Sequence, residues 1–208
     1  MKLKKIIFET SEYNISDKIL ANILNEKDPN KQLIMAKLNL RQLGSGAGRS
    51  VFDLGNQKVL KLRSNSIFSS SQNKTEYKNW QCVQHTKMKD FFVKVFEAAP
   101  NYSWLISEKV IPLNKKDKVF IYQTLIKLIT DSTNPQLEDL EIGEYFFTIY
   151  DIFQAAKEKK WPIKNTVSEW FEALGDALNT CDISYSDFSP ENFGLNSENN
   201  LVILDYGI

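Results

Sequence analysis

Residues 183–208, ISYSDFSPENFGLNSENNLVILDYGI, decide how the chain is read. An aspartate, Asp187, is followed five positions later by an asparagine, Asn192. Thirteen positions further on, at the end of the apolar run LVIL, comes Asp205, directly before Tyr206 and Gly207. Carboxylate and amide oxygens are hard donors. Three of them at this spacing, on a loop and then a strand end, can converge on hydrated magnesium and the phosphates of a nucleotide.

Three upstream pieces bear on that idea. The stretch LGSGAGRSVFDLGNQKVLKLR, residues 43–63, alternates apolar and polar residues in SVFDL and in KVLKL. Between them LGNQ holds a Gly-Asn pair suited to a tight turn, so a β-hairpin is predicted. In front of the hairpin stand Gly44, Gly46 and Gly48, with Ser45 and Ala47 between them. Glycines there permit positive φ and let the backbone approach a ligand, with amides free to point at phosphate oxygens. Taken alone, the cluster is equally a flexible turn between two strands. Lys61 falls in the second hairpin strand, where one face packs into the core and the other lines the space beneath the glycine turn. The segment SQNKTEYKNW, residues 71–80, reads as the start of a helix with Glu76 one turn in. A lysine fixed by a helix glutamate is a suitable point charge for nucleotide phosphates. The plainer readings are a solvated strand lysine and a surface carboxylate.

The remaining segments frame these pieces. Residues 15–38 predict two short helices, the first capped by Ser16 or Asp17 and the second opened by Pro29 after a break at DPN. They carry no chemical motif and are expected to pack on the outside of the segments after them. Residues 91–110 predict two strands joined at PNY, closing a β-rich half near residue 110. Helical patterns then cover about 116–131, 141–159 and 166–180, the last opening with Thr166 and Glu169 at capping-box spacing. Tyr145, Ile149, Ile152 and Phe153 fall near helical spacing and read as core. The domain expectation is a helical extension over 1–38, a β-rich lobe over 39–110 and a helical lobe over 111–208.

Hydrophobic residues make up 42% of the 208-residue chain and charged residues 25%, an ordinary globular composition. Twenty-six basic and 26 acidic side chains cancel, so neither nucleic acid nor an anionic membrane is expected as a partner. No segment reaches the length of a membrane span, and the apolar run in MKLKKIIFE is too short for a signal peptide. Cys82 and Cys181 belong to no CxxC or Cys/His cluster and read as two buried thiols in a reducing cytoplasm. His85, the single histidine, lies in the polar run QHTKMKD and reads as a solvated surface residue.

The order of glycine turn, strand lysine, helix glutamate, helical half, and D-x4-N before DYG resembles the protein kinase-like fold. The similarity covers roughly residues 40–208. It implies an α+β, bilobal architecture: an antiparallel β N-lobe with one main helix, and a reduced, mostly helical C-lobe. Position by position, Gly44 and Gly46 are similar to the first two glycines of the glycine-rich loop, and Val51 to the valine that packs on adenine. Lys61 resembles the phosphate-pairing lysine and Glu76 its helix partner. Glu108 to Val110 would form the hinge whose backbone pairs with the adenine edge. Asp187 resembles the catalytic aspartate, Asn192 the second-metal ligand, and Asp205 the magnesium aspartate of a DFG motif, written here as DYG. SDFSPENFGL is also similar to small-molecule kinases, and the compact hairpin to small kinase-like proteins of bacteriophages, which would place the chain in a host cytoplasm.

The resemblance thus implies ATP and Mg2+ as cofactors and transfer of the γ-phosphoryl group to a protein or small-molecule hydroxyl. The alternative is a catalytically silent kinase-like module that binds a protein partner. Arg49 stands at the third glycine position, with Gly48 one step early, which implies a stiffer or differently shaped turn. Tyr185 and Ser186 replace the His and Arg that commonly precede the catalytic aspartate. The sequence ends one residue after Gly207, so a minimal or shortened kinase-like chain is expected.

Overall fold

The computed structural model describes residues 15–46, 48–64, 72–113, 165–184, 192–198 and 200–204, with the single positions 116, 119 and 158. The helical patterns expected over 116–131 and 141–159 lie almost wholly outside these residues. The observed architecture is α+β and divides into two compact units. One comprises Met1–Lys74, Lys94–Val110 and Asn196–Asn199; the other comprises Thr75–Val93, Ile111–Leu195 and Asn200–Ile208.

The first unit opens with the two expected helices, α1 (Asp17–Asn25) and α2 (Pro29–Asn39). Their boundaries follow from local chemistry. Ser16 accepts a hydrogen bond from the amide of Ile19, and the Asp28 carboxylate accepts from the amides of Asn30 and Lys31. Pro29 follows at the first helical position, where its missing N–H costs nothing. Five antiparallel strands come next: β1 (Arg41–Ser45), β2 (Arg49–Gly55), β3 (Lys58–Arg63), β4 (Val95–Ala98) and β5 (Trp104–Glu108), in the order β1-β2-β3-β5-β4. The predicted hairpin is β2–β3, and its turn places Gly55, Asn56 and Gln57 all at positive φ (74°, 45° and 58°).

Cross-strand pairing sorts the sheet into two faces. Phe52, Leu60 and Ile106 are paired across β2, β3 and β5, so their side chains share a face. They join Leu54, Leu62 and Trp104 with Ile23, Ala36 and Leu40 of the helical segment in one core. Burying each such large apolar side chain stabilises the fold by about 1.5–3 kcal/mol. Trp104 also donates its indole N–H to the carbonyl of Leu24 at 3.1 Å, and the buried Gln32 donates to the carbonyl of Ile23 at 2.9 Å. The helices therefore cover one face of the sheet, on the outside as expected.

Helix α3 (Gln72–Val83) begins in the first unit and continues in the second. In the second unit, a short 3-10 turn (Lys89–Phe91) precedes a small antiparallel sheet of β6 (Ile111–Pro112), β7 (Phe193–Leu195) and β8 (Leu201–Ile203). Val93 donates to the carbonyl of Ile203 at 3.1 Å, and Leu113 to that of Phe193 at 3.1 Å. Helix α4 (Asn165–Cys181) is the helix predicted over 166–180, one residue longer at each end. It ends at Asp182, whose φ of 53° is the left-handed conformation of a helix C-cap, after which Ile183 donates to the carbonyl of Leu178. Phe91 gathers this unit's core: its ring lies 5.2 Å from Trp170 of α4, edge to face, and 5.9 Å from Phe193 of β7.

The reading of two free thiols is corrected. Cys82, near the end of α3, and Cys181, the last residue of α4, form a disulfide with a Cα–Cα distance of 5.5 Å across 99 residues of sequence. No local motif could announce it, because the pairing depends on two helix ends meeting in space. The expected cytoplasmic setting loses the support it drew from free thiols. Among the described residues no helix is long and apolar enough to cross a membrane.

Candidate functional site

The face of the first unit's sheet opposite α1 and α2 carries three of the residues selected from sequence, Gly44, Val51 and Lys61. Gly44 pairs with Val51, Val51 with Lys61, and Lys61 with Leu105, so one line of neighbours runs across β1, β2, β3 and β5. It lies one strand position from the Phe52–Leu60–Ile106 line and therefore faces the opposite way, away from α1 and α2. Lys61 is only 8% exposed. Lysines are almost never this buried without a function or a partner for the ammonium, so the solvated-lysine reading falls away. Glu76 on α3 is completely buried, which excludes the surface-carboxylate reading in the same way.

The glycine turn differs from expectation in its physics. Among the described glycines only Gly55 has a positive φ, so Gly44, Gly46 and Gly48 are not required for left-handed backbone. A β-carbon on Gly44 or Gly46 would meet nothing within 4 Å; their backbone borders open space. Gly48 is the reverse case. A β-carbon there would lie 2.2 Å from Oε1 of Gln72, so the missing side chain makes room for the start of α3. The turn closes through the amide of Gly46, which donates to the carbonyl of Arg49 at 2.9 Å, and Ser45 pairs with Ser50 at its base. Ala47 lies outside the described residues.

Where the sequence predicts a hinge, Glu108 ends β5 and Lys109 and Val110 follow, both half-buried. The Glu108 amide donates to the carbonyl of Lys94 at 2.9 Å and the Lys109 amide to that of Gln57 at 2.8 Å. The Lys109 ammonium meets the buried Asp53 carboxylate at 2.6 Å, and the other Asp53 oxygen accepts from the Gly55 amide at 3.0 Å. This bridge ties the β2–β3 turn to the segment after β5. Sequence reading missed it, since Asp53 and Lys109 are ordinary strand and loop charges 56 positions apart. Glu108 Oε2 and Ser107 Oγ are buried without a hydrogen-bond partner, an arrangement that costs about 1–3 kcal/mol for each such group.

In the second unit, the tail's geometry bears on the metal idea. Phe193 pairs with Ile203, and the Leu204 amide donates to the carbonyl of Asn192 at 2.6 Å. The hairpin thus sets half-buried Asn192 opposite Leu204, the residue that precedes Asp205. Asp187 and Asp205 themselves lie outside the described residues, and among the described residues no group of three His, Cys, Asp or Glu could hold a metal ion. His85 is exposed, as expected. A cavity of about 700 Å³ in this unit, bordered by His85, Lys87, Glu172 and Asp176, is lined by none of the candidate nucleotide, metal or catalytic residues.

No protein-family model matches the chain, and no curated protein matches its sequence. Solved structures do. The choline kinase LicA from Streptococcus pneumoniae matches at 18% identity and a TM-score of 0.36, over 86% of this chain and 68% of that one. A choline/ethanolamine kinase family protein from Mesorhizobium loti matches at 11% identity and a TM-score of 0.39, over 91% and 63%. APH(2")-IIa, solved as a streptomycin–ATP ternary complex, matches at 18% identity and a TM-score of 0.37, over 88% and 73%.

Proposed function

We propose that the chain is a bilobal, kinase-like protein that binds ATP with magnesium and transfers its γ-phosphoryl group to a hydroxyl of a protein or small molecule. The observation that carries the reading is the line Gly44–Val51–Lys61 on the sheet face left uncovered by the N-terminal helices. It gives a nucleotide, in order, a bare backbone bordering open space, an apolar contact for a base and a buried cation for phosphate. This reading is supported by the space beside Gly44 and Gly46, where an added β-carbon would meet nothing within 4 Å.

In this reading the amides of residues 44–48 and the Lys61 ammonium orient the phosphates. The base lies against Val51. Because the amides of Glu108 and Lys109 already donate within the protein, hydrogen bonding to the base edge falls to the Val110 amide and the carbonyls of this segment. Asn192 and Asp205 would hold magnesium, which supplies neutralisation of the charge on the transferring group. Asp187 orients the acceptor hydroxyl and takes its proton.

The second reading, a silent module that binds a protein partner, is favoured by one feature: Tyr185 and Ser186 beside Asp187 in place of His and Arg. Two variants separate the readings. Asp205→Ala is expected to abolish magnesium-dependent ATP turnover with the fold intact, while Asp187→Ala is expected to keep magnesium-dependent ATP binding and lose turnover. ATP hydrolysis and phosphoryl transfer are followed with radiolabelled γ-phosphate. Wild-type protein that binds ATP but never releases or transfers label leaves the silent module; unchanged turnover in Asp205→Ala refutes the metal assignment.

A further inference from the structure

The third glycine position holds an arginine, and that arginine is buried: Arg49 is 7% exposed at the first position of β2. Its Nη1 donates to Oδ1 of Asn73 at 3.5 Å. Asn73, in the first turn of α3 and 1% exposed, donates its Nδ2 to the carbonyl of Tyr102 at 3.1 Å. Tyr102 stands at φ 56° in the turn between β4 and β5. A primary amide suits the middle of this chain because it accepts and donates through one planar group; aspartate could only accept and leucine could do neither.

Two neighbouring contacts grip the same side of the turn. The carbonyl of Gly48 accepts from the Ser64 amide at 2.9 Å, and Gly48 lies directly against the Gln72 amide group. The C-terminal half of the glycine turn is thus fastened to β3, to the start of α3 and, through Asn73, to the β4–β5 turn. Its N-terminal half, Gly44 and Gly46, borders open space.

We propose that Arg49 and Asn73 are positioning residues: they latch one side of the glycine turn to the start of α3, holding the turn's amides in place for the outer phosphates of a nucleotide. A glycine at position 49 would leave the turn to find that arrangement on binding; the latch fixes it beforehand and lowers the ordering cost. The role in nucleotide binding rests on the function proposed above, whereas the latch itself does not.

The experiment compares wild type with Asn73→Ala, Arg49→Gly and the double variant. Arg49→Lys, which keeps the buried charge, replaces any single variant that does not fold. In ligand-free protein, amide hydrogen exchange over residues 44–50 is expected to speed up at least about tenfold in each single variant, the equivalent of one charge-assisted hydrogen bond, with exchange in α4 unchanged. The double variant is expected to be no faster than the faster single, because both break one chain of contacts. ATP affinity is expected to fall about tenfold while that of AMP, which lacks the outer phosphates, holds. Unchanged exchange over 44–50, or additive effects in the double variant, overturns the latch. Parallel losses for ATP and AMP overturn its role in holding the outer phosphates. Wild-type protein that binds neither nucleotide refutes the proposed function instead, and the exchange result then still decides whether the latch exists.

Discussion

Gly48 and Gln72 lie closer than a β-carbon would allow, and the consequence can be stated for a single methyl group. In Gly48→Ala the new carbon would sit 2.2 Å from Gln72 Oε1, which is the far end of a flexible side chain and already buried without a hydrogen-bond partner. The end of Gln72 must swing away, and the expected loss of stability is modest, about 1 kcal/mol. Adding Gln72→Ala vacates the space and should restore most of that loss in urea denaturation. A double variant as unstable as Gly48→Ala would show that room for Gln72 is not why glycine stands there. At this scale the sequence shows which residues share a face but not how much space surrounds each one. Val51 and Lys61 were legible because strand alternation fixes which residues share a face. The glycines are expected to permit positive φ and close backbone approach; none of the three has positive φ, Gly44 and Gly46 border open space, and Gly48 makes room for Gln72, which alternation and spacing do not encode.

Elements whose signals are local were legible. Ser16 and the Asp28–Pro29 pair mark two helix starts because a cap is chemistry within one turn, and Gly55–Asn56 marks the hairpin for the same reason. Pairings between distant segments were not. Ile111–Pro112 falls just past the predicted end of the β-rich half, yet it forms an edge beside Phe193–Leu195, more than 80 positions away. The Cys82–Cys181 bridge belongs to the same class, joining the ends of α3 and α4. A cross-link closing a loop of about 100 residues stabilises by up to about 4.7 kcal/mol in a chain-entropy account, and about 2–4 kcal/mol is typical. Cys82→Ala/Cys181→Ala is therefore expected to lower the Tm by roughly 5–10 °C. Thiol titration of the unfolded wild-type protein without reductant should find no free thiol. Two free thiols per chain, or a Tm unmoved in the variant, would contradict the bridge.

For the whole molecule, order along the chain carried most of the meaning. A glycine turn, strand lysine, helix glutamate and D-x4-N before DYG are individually weak, and each has a bland alternative. The structure removes two of those alternatives by burying Lys61 and Glu76, and it sets Asn192 opposite the residue before Asp205. The five-stranded sheet and the two helices packed on it were legible from local pattern. The chemistry of Asp187 and Asp205 rests on sequence. The most direct test of nucleotide binding is a thermal-shift titration of wild type and Lys61→Met with ATP and magnesium. A ligand held only by the folded state at a hundredfold excess over Kd stabilises by about 2.7 kcal/mol, so the wild-type Tm should rise by roughly 5–10 °C. Lys61→Met should need at least about tenfold more nucleotide for the same rise. A wild-type Tm that does not move at millimolar ATP with magnesium, or a Lys61→Met curve that overlays the wild type, would contradict the account.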